Sequence, residues 1–129
     1  DLQAALGRSQ LARLDAFVAR RRDIAARYAR RLGGAPCGLP PDPRGGRHVY
    51  HRFVVDLRRP VAPVIDALAR RGVTARRPVF RPLHRALGRS GYPIADRLWA
   101  ERLSLPCYPA LADAEVDTVA AALLEALAA

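Results

Sequence analysis

The sequence has no lysine and no methionine: all 22 of its Lys+Arg positions are arginine, and the chain starts at Asp1. Without lysine there is no Walker-type phosphate loop, so RGGR at residues 44–47 is not one. An initiator methionine is ordinarily removed only before a small residue. Asp1 is therefore not expected to be a natural start, and the chain reads as a piece of a longer polypeptide. Cysteine is limited to Cys37 and Cys107, which form no metal-type pair and read as reduced thiols of a cytosolic protein. Of three histidines, His48 and His51 lie three apart. That spacing would bring them together on a helix but sends them to opposite faces of a strand, so no metal site is expected. There is no GxSxG around any serine. Aromatics are only 6%, with no RNP-like or helix-turn-helix pattern, so charge alone argues for nucleic acid. No apolar run approaches the ~20 residues of a membrane span, and DLQAALGRSQ lacks the layout of a signal peptide. The carboxylates gather near the C-terminus, where helix capping accounts for them, and form no catalytic pair.

What is present suits one domain of 129 residues, half of them hydrophobic and 26% charged. The net charge is +10. GC-rich coding accounts for the choice of arginine over lysine. The charge itself attracts polyanions, and guanidinium groups suit bidentate contact with phosphate, including nucleotide diphosphates.

Along the chain, residues 2–32 read as one long helix, with Leu14, Phe17, Val18, Ala25, Tyr28 and Leu32 at helical spacings. Gly33-Gly34 ends it. The run Arg20-Arg21-Arg22 reads as a solvated face. Residues 35–47, with four prolines and three glycines, are a loop. Residues 48–57 read as a strand with Val49, His51, Phe53, Val55 and Leu57 on its core face. A second helix is expected over 60–71, with Val61, Val64, Ile65 and Leu68 inward and Gly72 as its stop. Residues 73–80 form a weaker strand broken by Pro78. A helix over 93–102 points Ile94, Leu98 and Trp99 inward, and a short strand follows at 103–107. A last helix covers about 113–127, with Val116, Val119, Leu123 and Leu127 as its apolar stripe. Two or three short strands packed on one side by helices give a small α/β (α+β) sandwich in a single domain, 1–129, with a long N-terminal helix.

The segment RRPVFRPLHRALGRSGY, residues 76–92, frames His84 with prolines and arginines. From residue types alone it is either a ligand-contacting segment or a turn with an incidental imidazole.

Three separated stretches resemble the C-terminal portion of the DegT/StrS-type sugar aminotransferases, which depend on pyridoxal phosphate. DLQAALGRSQLARLDAFVARRRDIAARYARRL is similar to the family's helix after the cofactor domain. GVTARRPVFRPLH resembles its "GIeTRpfFyPLH" element. YPIADRLWAERLSLPCYPALADAEVDTVAAAL is similar to its "yPvAerla…lsLPlyPgLtdeEvd" run, and VYHRFVV resembles its "ayHlyvi" strand. Together these cover nearly the whole chain, in order.

The resemblance implies the C-terminal domain of a fold type I enzyme, with a short, largely antiparallel sheet covered by helices. The Schiff-base lysine and the cofactor-binding groups would lie in a larger N-terminal domain absent from this chain, so the chain alone would be inactive. The parent would pass an amino group from glutamate or glutamine, through pyridoxal phosphate, to a keto-sugar, usually nucleotide-linked. It would act as a cytoplasmic homodimer in amino-sugar biosynthesis.

Carried over residue by residue, His84 falls on the "PLH" histidine beside the expected substrate channel. Arg77 falls on the "TRP" arginine, and Tyr50 and His51 fall on the "yH" pair. The sequence departs from the pattern in an extra arginine, so that Arg76 or Arg77 is the equivalent. It departs again at Val79 and Arg81, and at Ala112 in place of a threonine, which moves helix capping to Asp113. Bland readings stand beside these: His51 as a hydrogen-bonded core histidine, His84 as part of a turn, Arg77 as a solvated charge. The rival function is a free-standing basic binding module for nucleotide sugar, nucleic acid or a partner subunit.

Overall fold

The computed structural model describes residues 1–41 and 43–128. Its elements are α1 (Leu2–Leu11), α2 (Leu14–Leu32), β1 (Phe53–Asp56), α3 (Ala62–Arg70), α4 (Leu83–Ala86), α5 (Pro93–Glu101), β2 (Arg102–Leu105) and α6 (Asp113–Ala128). Strands β1 and β2 pair antiparallel, with Phe53 opposite Leu105 and Val55 opposite Leu103. Single bridges extend the ladder on both sides, Gly38 against Asp56 and Arg76 against Ser104. A Cβ at Gly38 would stand 3.2 Å from that of Asp56, so the close approach of this bridge favours glycine.

The core forms where three helical stripes meet this ladder. Ile24, Tyr28 and Leu32 of α2, Val64 and Leu68 of α3, and Val116, Val119 and Leu123 of α6 are buried with Phe53, Val55 and Leu103. Helix α6 packs against both α2 and α3. The Tyr28 and Phe53 rings lie 4.9 Å apart, and the Tyr28 hydroxyl donates to the Pro106 carbonyl at 3.0 Å. Burial pushes that phenol far above its usual range, so it remains a donor. Helix α3 ends at Gly72, whose φ of +74° is cheap for glycine alone.

Four expectations are corrected. The N-terminal helix is broken at residues 12–13, where Arg13 donates back to the Gln10 carbonyl in a tighter turn. Upstream of that break α1 buries nothing, whereas the apolar side of α2 does, and only there does packing reinforce the helix. The strand read over 48–57 is confined to Phe53–Asp56, because Tyr50 adopts φ +47° and interrupts the alternation. Ile94 is exposed rather than inward, while Leu98 and Trp99 are half-buried. Finally, Glu115 rather than Asp113 accepts the Ala112 N–H, at 2.7 Å, in the reciprocal half of a capping box.

Asp113 is engaged elsewhere. It binds Arg20 at 2.8 Å and Arg27 at 2.9 Å across the α2–α6 contact. One turn on, Asp117 receives both Arg27 and Arg31, each through two N–H groups at 2.7–2.9 Å. These hydrogen bonds, first from Arg27 and then from Arg31, hold the Asp117 carboxyl far below its usual range.

Two outcomes follow. Phe53→Ala should cost about 3–5 kcal/mol of folding stability, against about 1 kcal/mol for Tyr28→Phe, read by denaturant unfolding. Asp117, ionised more easily folded than unfolded, stabilises above its unfolded value of about 3.9, and this contribution is lost as pH falls toward its folded value. The melting-temperature gap between the parent chain and Asp117→Asn should therefore be widest near neutrality and close on acidification. A gap that widens in acid contradicts the assignment.

Candidate functional site

Pro82, extended at φ −60° and ψ 141°, starts the single turn of α4, and Gly88 at φ +64° follows its end. This short helix presents His84 to α5. The His84 Nε2 atom lies 3.0 Å from Asp96 Oδ1, and Arg85 Nε donates to the same oxygen at 2.5 Å. The His84 and Tyr92 rings are 4.9 Å apart. Only 9% of the His84 side chain is exposed. The His84 hydrogen bond, with that of Arg85 behind it, lowers the Asp96 pKa below the usual carboxylate value. His84 is thus an oriented imidazole clamped between a carboxylate and an aromatic ring.

Trp99 is the second anchor. It lies three residues beyond Asp96, so both project from one side of α5. The Arg77 guanidinium stands 4.3 Å from the Trp99 ring centroid and that of Arg85 4.8 Å from it, within cation–π range. Trp99 Nε1 donates to the Phe80 carbonyl at 3.3 Å. Trp99 and the Pro78-Val79 segment wall two recesses. One, of about 580 Å³, is mainly apolar and is lined by Pro82, Leu83, His84, Leu87, Tyr92 and Leu98 among others. The other, of about 780 Å³, holds Arg52, Arg76, Arg77, Phe80, Arg81 and Arg85.

His84 and Arg77 are therefore brought to the same wall but open into different recesses. Arg77 is half-buried, with its Nε lacking an acceptor, and is not a solvated charge. Arg76 is held by its backbone against Ser104, at 3.2 and 2.7 Å. His51 is exposed, which corrects its reading as a core histidine: the left-handed turn at Tyr50 takes it off the face that Phe53 buries. It lines a third recess of about 270 Å³, together with Arg52 and Arg76, which also line the 780 Å³ recess. Tyr50 lines none of the three. Its ring stacks on His48 at 4.2 Å and packs against the core.

The reading of Arg20-Arg21-Arg22 as a solvated face is also corrected. Arg21 Nη1 donates to the carbonyls of Cys107 at 2.6 Å, His51 at 2.9 Å and Tyr50 at 3.2 Å. Arg22 Nε donates to the His48 carbonyl at 2.9 Å, and Arg20 reaches the Leu111 carbonyl. Arg21 fixes the corner that presents His51. A charge run does not distinguish water from backbone carbonyls as partners, so this role left no mark in the sequence. Asp96 and Trp99 carry no motif, and their i, i+3 spacing does not by itself mark them as a site. Among the described residues no cluster of three or more His, Cys, Asp or Glu is arranged to hold a metal, and no helix is long and apolar enough to cross a membrane.

The DegT/DnrJ/EryC1/StrS aminotransferase family model matches residues 1–124. The chain is 33% identical over 141 residues to GDP-perosamine synthase of Caulobacter vibrioides, covering 98% of this chain and 37% of that protein. It is 37% identical over 127 residues to dTDP-4-dehydro-2,3,6-trideoxy-D-glucose 4-aminotransferase of Saccharopolyspora spinosa, covering 93% and 32%. The crystal structure of the aminotransferase TlmJ from Streptoalloteichus hindustanus superposes with a TM-score of 0.86 at 35% identity, covering 97% of this chain and 35% of that one. The chain thus spans about a third of the length of these relatives.

Asp96→Ala should release α4 and Arg21→Ala the corner at residues 48–51. Amide exchange measured by mass spectrometry should rise at residues 83–87 in the first and at 48–52 in the second, with α2 and β2 unaffected. Uniform acceleration across the chain, or none, would remove these anchoring roles.

Proposed function

The chain belongs to the DegT/DnrJ/EryC1/StrS aminotransferase family, and on that premise we propose that it is the C-terminal domain of a pyridoxal-phosphate-dependent sugar aminotransferase. The acceptor is a keto-sugar linked to a nucleotide, and the amino donor is glutamate or glutamine. The family match across residues 1–124, together with similarity to a relative named as a dTDP-sugar 4-aminotransferase, carries this reading.

Pyridoxal phosphate supplies the electron sink for amino transfer when bound. The residues of this chain do not fit covalent attachment of it: none of the 129 is a lysine. The attaching amine is assigned to a larger domain of the same polypeptide, and the working enzyme to a cytoplasmic homodimer. This chain's share is the substrate side. His84, held by Asp96, contacts the sugar as a hydrogen-bonding group of fixed orientation. Arg77, backed by Trp99, contacts an anionic part of the substrate. His51 faces the adjoining recess, and Tyr50 sets the left-handed turn that presents it. The apolar recess beside His84 excludes water from the sugar ring, which strengthens polar contacts there.

The test uses the full-length polypeptide containing this chain, loaded with pyridoxal phosphate. With L-glutamate and a panel of nucleotide-linked keto-sugars it should yield amino sugar and 2-oxoglutarate in equal amounts, followed by mass spectrometry. His84→Asn should lower kcat/KM for the keto-sugar by roughly tenfold or more, the worth of one oriented contact. No amino transfer to any keto-sugar, with nucleotide sugar nonetheless bound, would replace this reading with a non-catalytic binding module.

A further inference from the structure

We propose that Arg52, Arg76, Arg77 and Arg81 form an anion site that takes the diphosphate of the nucleotide-linked substrate. All four line the 780 Å³ recess together with Arg85 and Trp99, and no carboxylate among the described residues lines it. Most of the arginines packed between elements elsewhere have acceptors. Arg20, Arg27 and Arg31 bind Asp113 and Asp117, while Arg71 binds Glu125 and Arg102 binds Asp56. Arg21, Arg22 and Arg59 bind backbone carbonyls. In the recess only Arg85 has a carboxylate partner, Asp96. The side chains of the other four make no hydrogen bond or ion pair among the described residues, and the buried Nε of Arg77, like that of Arg102, has no acceptor there.

Like charges gathered on a wall that includes Phe80 and Trp99 repel one another and focus a positive potential into the recess, which an incoming anion relieves. A carboxylate offers two oxygens, too few for four guanidinium groups, whereas a diphosphate offers more and matches their planar, bidentate geometry. The position is also suitable. Pro78, Val79 and Trp99 wall both this recess and the apolar one that holds His84. A diphosphate here therefore directs the attached sugar across that wall toward His84. Arg81 and one arginine of the pair 76–77 are points at which this sequence departs from the family pattern it resembles; the other arginine of that pair is the equivalent of the family's own. The choice of a nucleotide-linked sugar rests on the function proposed above; the anion site does not.

The experiment titrates inorganic pyrophosphate into the full-length protein by calorimetry. Affinity should fall roughly tenfold for each arginine removed, so by about two orders of magnitude in R52Q/R81Q. R52K/R81K should recover only part of it, since lysine keeps the charge but not the fork. R8Q/R70Q, which removes the same charge from exposed positions on α1 and α3, should bind as the unaltered protein does. Arg52 and Arg81 are exposed, so the variants should melt normally, and circular dichroism checks this. Unchanged affinity in R52Q/R81Q, or an equal loss in R8Q/R70Q, overturns the site. Tighter binding of a single-stranded oligonucleotide than of pyrophosphate, lost in the same variant, overturns the diphosphate as its ligand. Pyrophosphate binding needs no turnover. Arginine-dependent binding in a protein that aminates no keto-sugar supports the site and removes only the functional reading, while turnover with arginine-independent binding does the reverse.

Discussion

Twelve carboxylates cannot neutralise 22 arginines, so the fold must distribute a limited set of acceptors among its guanidinium groups. The seam between α2 and α6 receives the best of them. Asp113 and Asp117 stand one turn apart and take three arginines of α2. Such partly exposed pairs contribute modestly one by one, but a network of bidentate contacts also fixes register. It sets how α2 lies on α6, and through Tyr28 and Phe53 how the helical layer meets the ladder. Arg21 extends the same helix's reach to the carbonyls of residues 50, 51 and 107. The left-handed corner at Tyr50, and with it the exposure of His51, depends on this helix.

Where acceptors run out, guanidinium groups are left without carboxylate partners among the described residues. Arg85 stands on α4 and has Asp96, but the other arginines of the 780 Å³ recess stand on irregular backbone, between α3 and α4 and on the approach to β1. There the chain is held by proline geometry, by one bridge to Ser104 and by the indole rather than by carboxylates. His84 is treated differently, since it has a carboxylate of its own and is nearly buried. One wall therefore carries an oriented imidazole on one side and unanswered cations on the other. That asymmetry matches a substrate with a compact ring at one end and a polyanion at the other.

Much of the fold was legible because burial imposes periodicity. The stripes Val64–Leu68 and Val116–Val119–Leu123, the stops at Gly33-Gly34 and Gly72, and the alternation of Phe53 and Val55 all correspond to what is observed. Periodicity failed where packing did not enforce it. Helix α1 has leucines but no partner to bury them against within this chain. Residues 48–52 alternate correctly yet leave the sheet at a positive φ that Tyr50 does not advertise. At the candidate site, family resemblance led to His84 and Arg77, and the structure sets them on two different recesses that share Trp99 as a wall. Asp96, Arg21 and the convergence of Arg52 with Arg81 depend on contacts 12 to 86 residues apart in the chain, or on a shared recess, which no local pattern encodes.

The account is tested most directly by a crystal structure of the full-length protein with a nucleotide-linked amino sugar bound. It predicts phosphate oxygens within about 3 Å of guanidinium nitrogens of Arg77, Arg52 or Arg81, and the sugar ring against the recess that holds His84. Phosphates bound by other residues, with the sugar ring remote from His84 and Trp99, would contradict it.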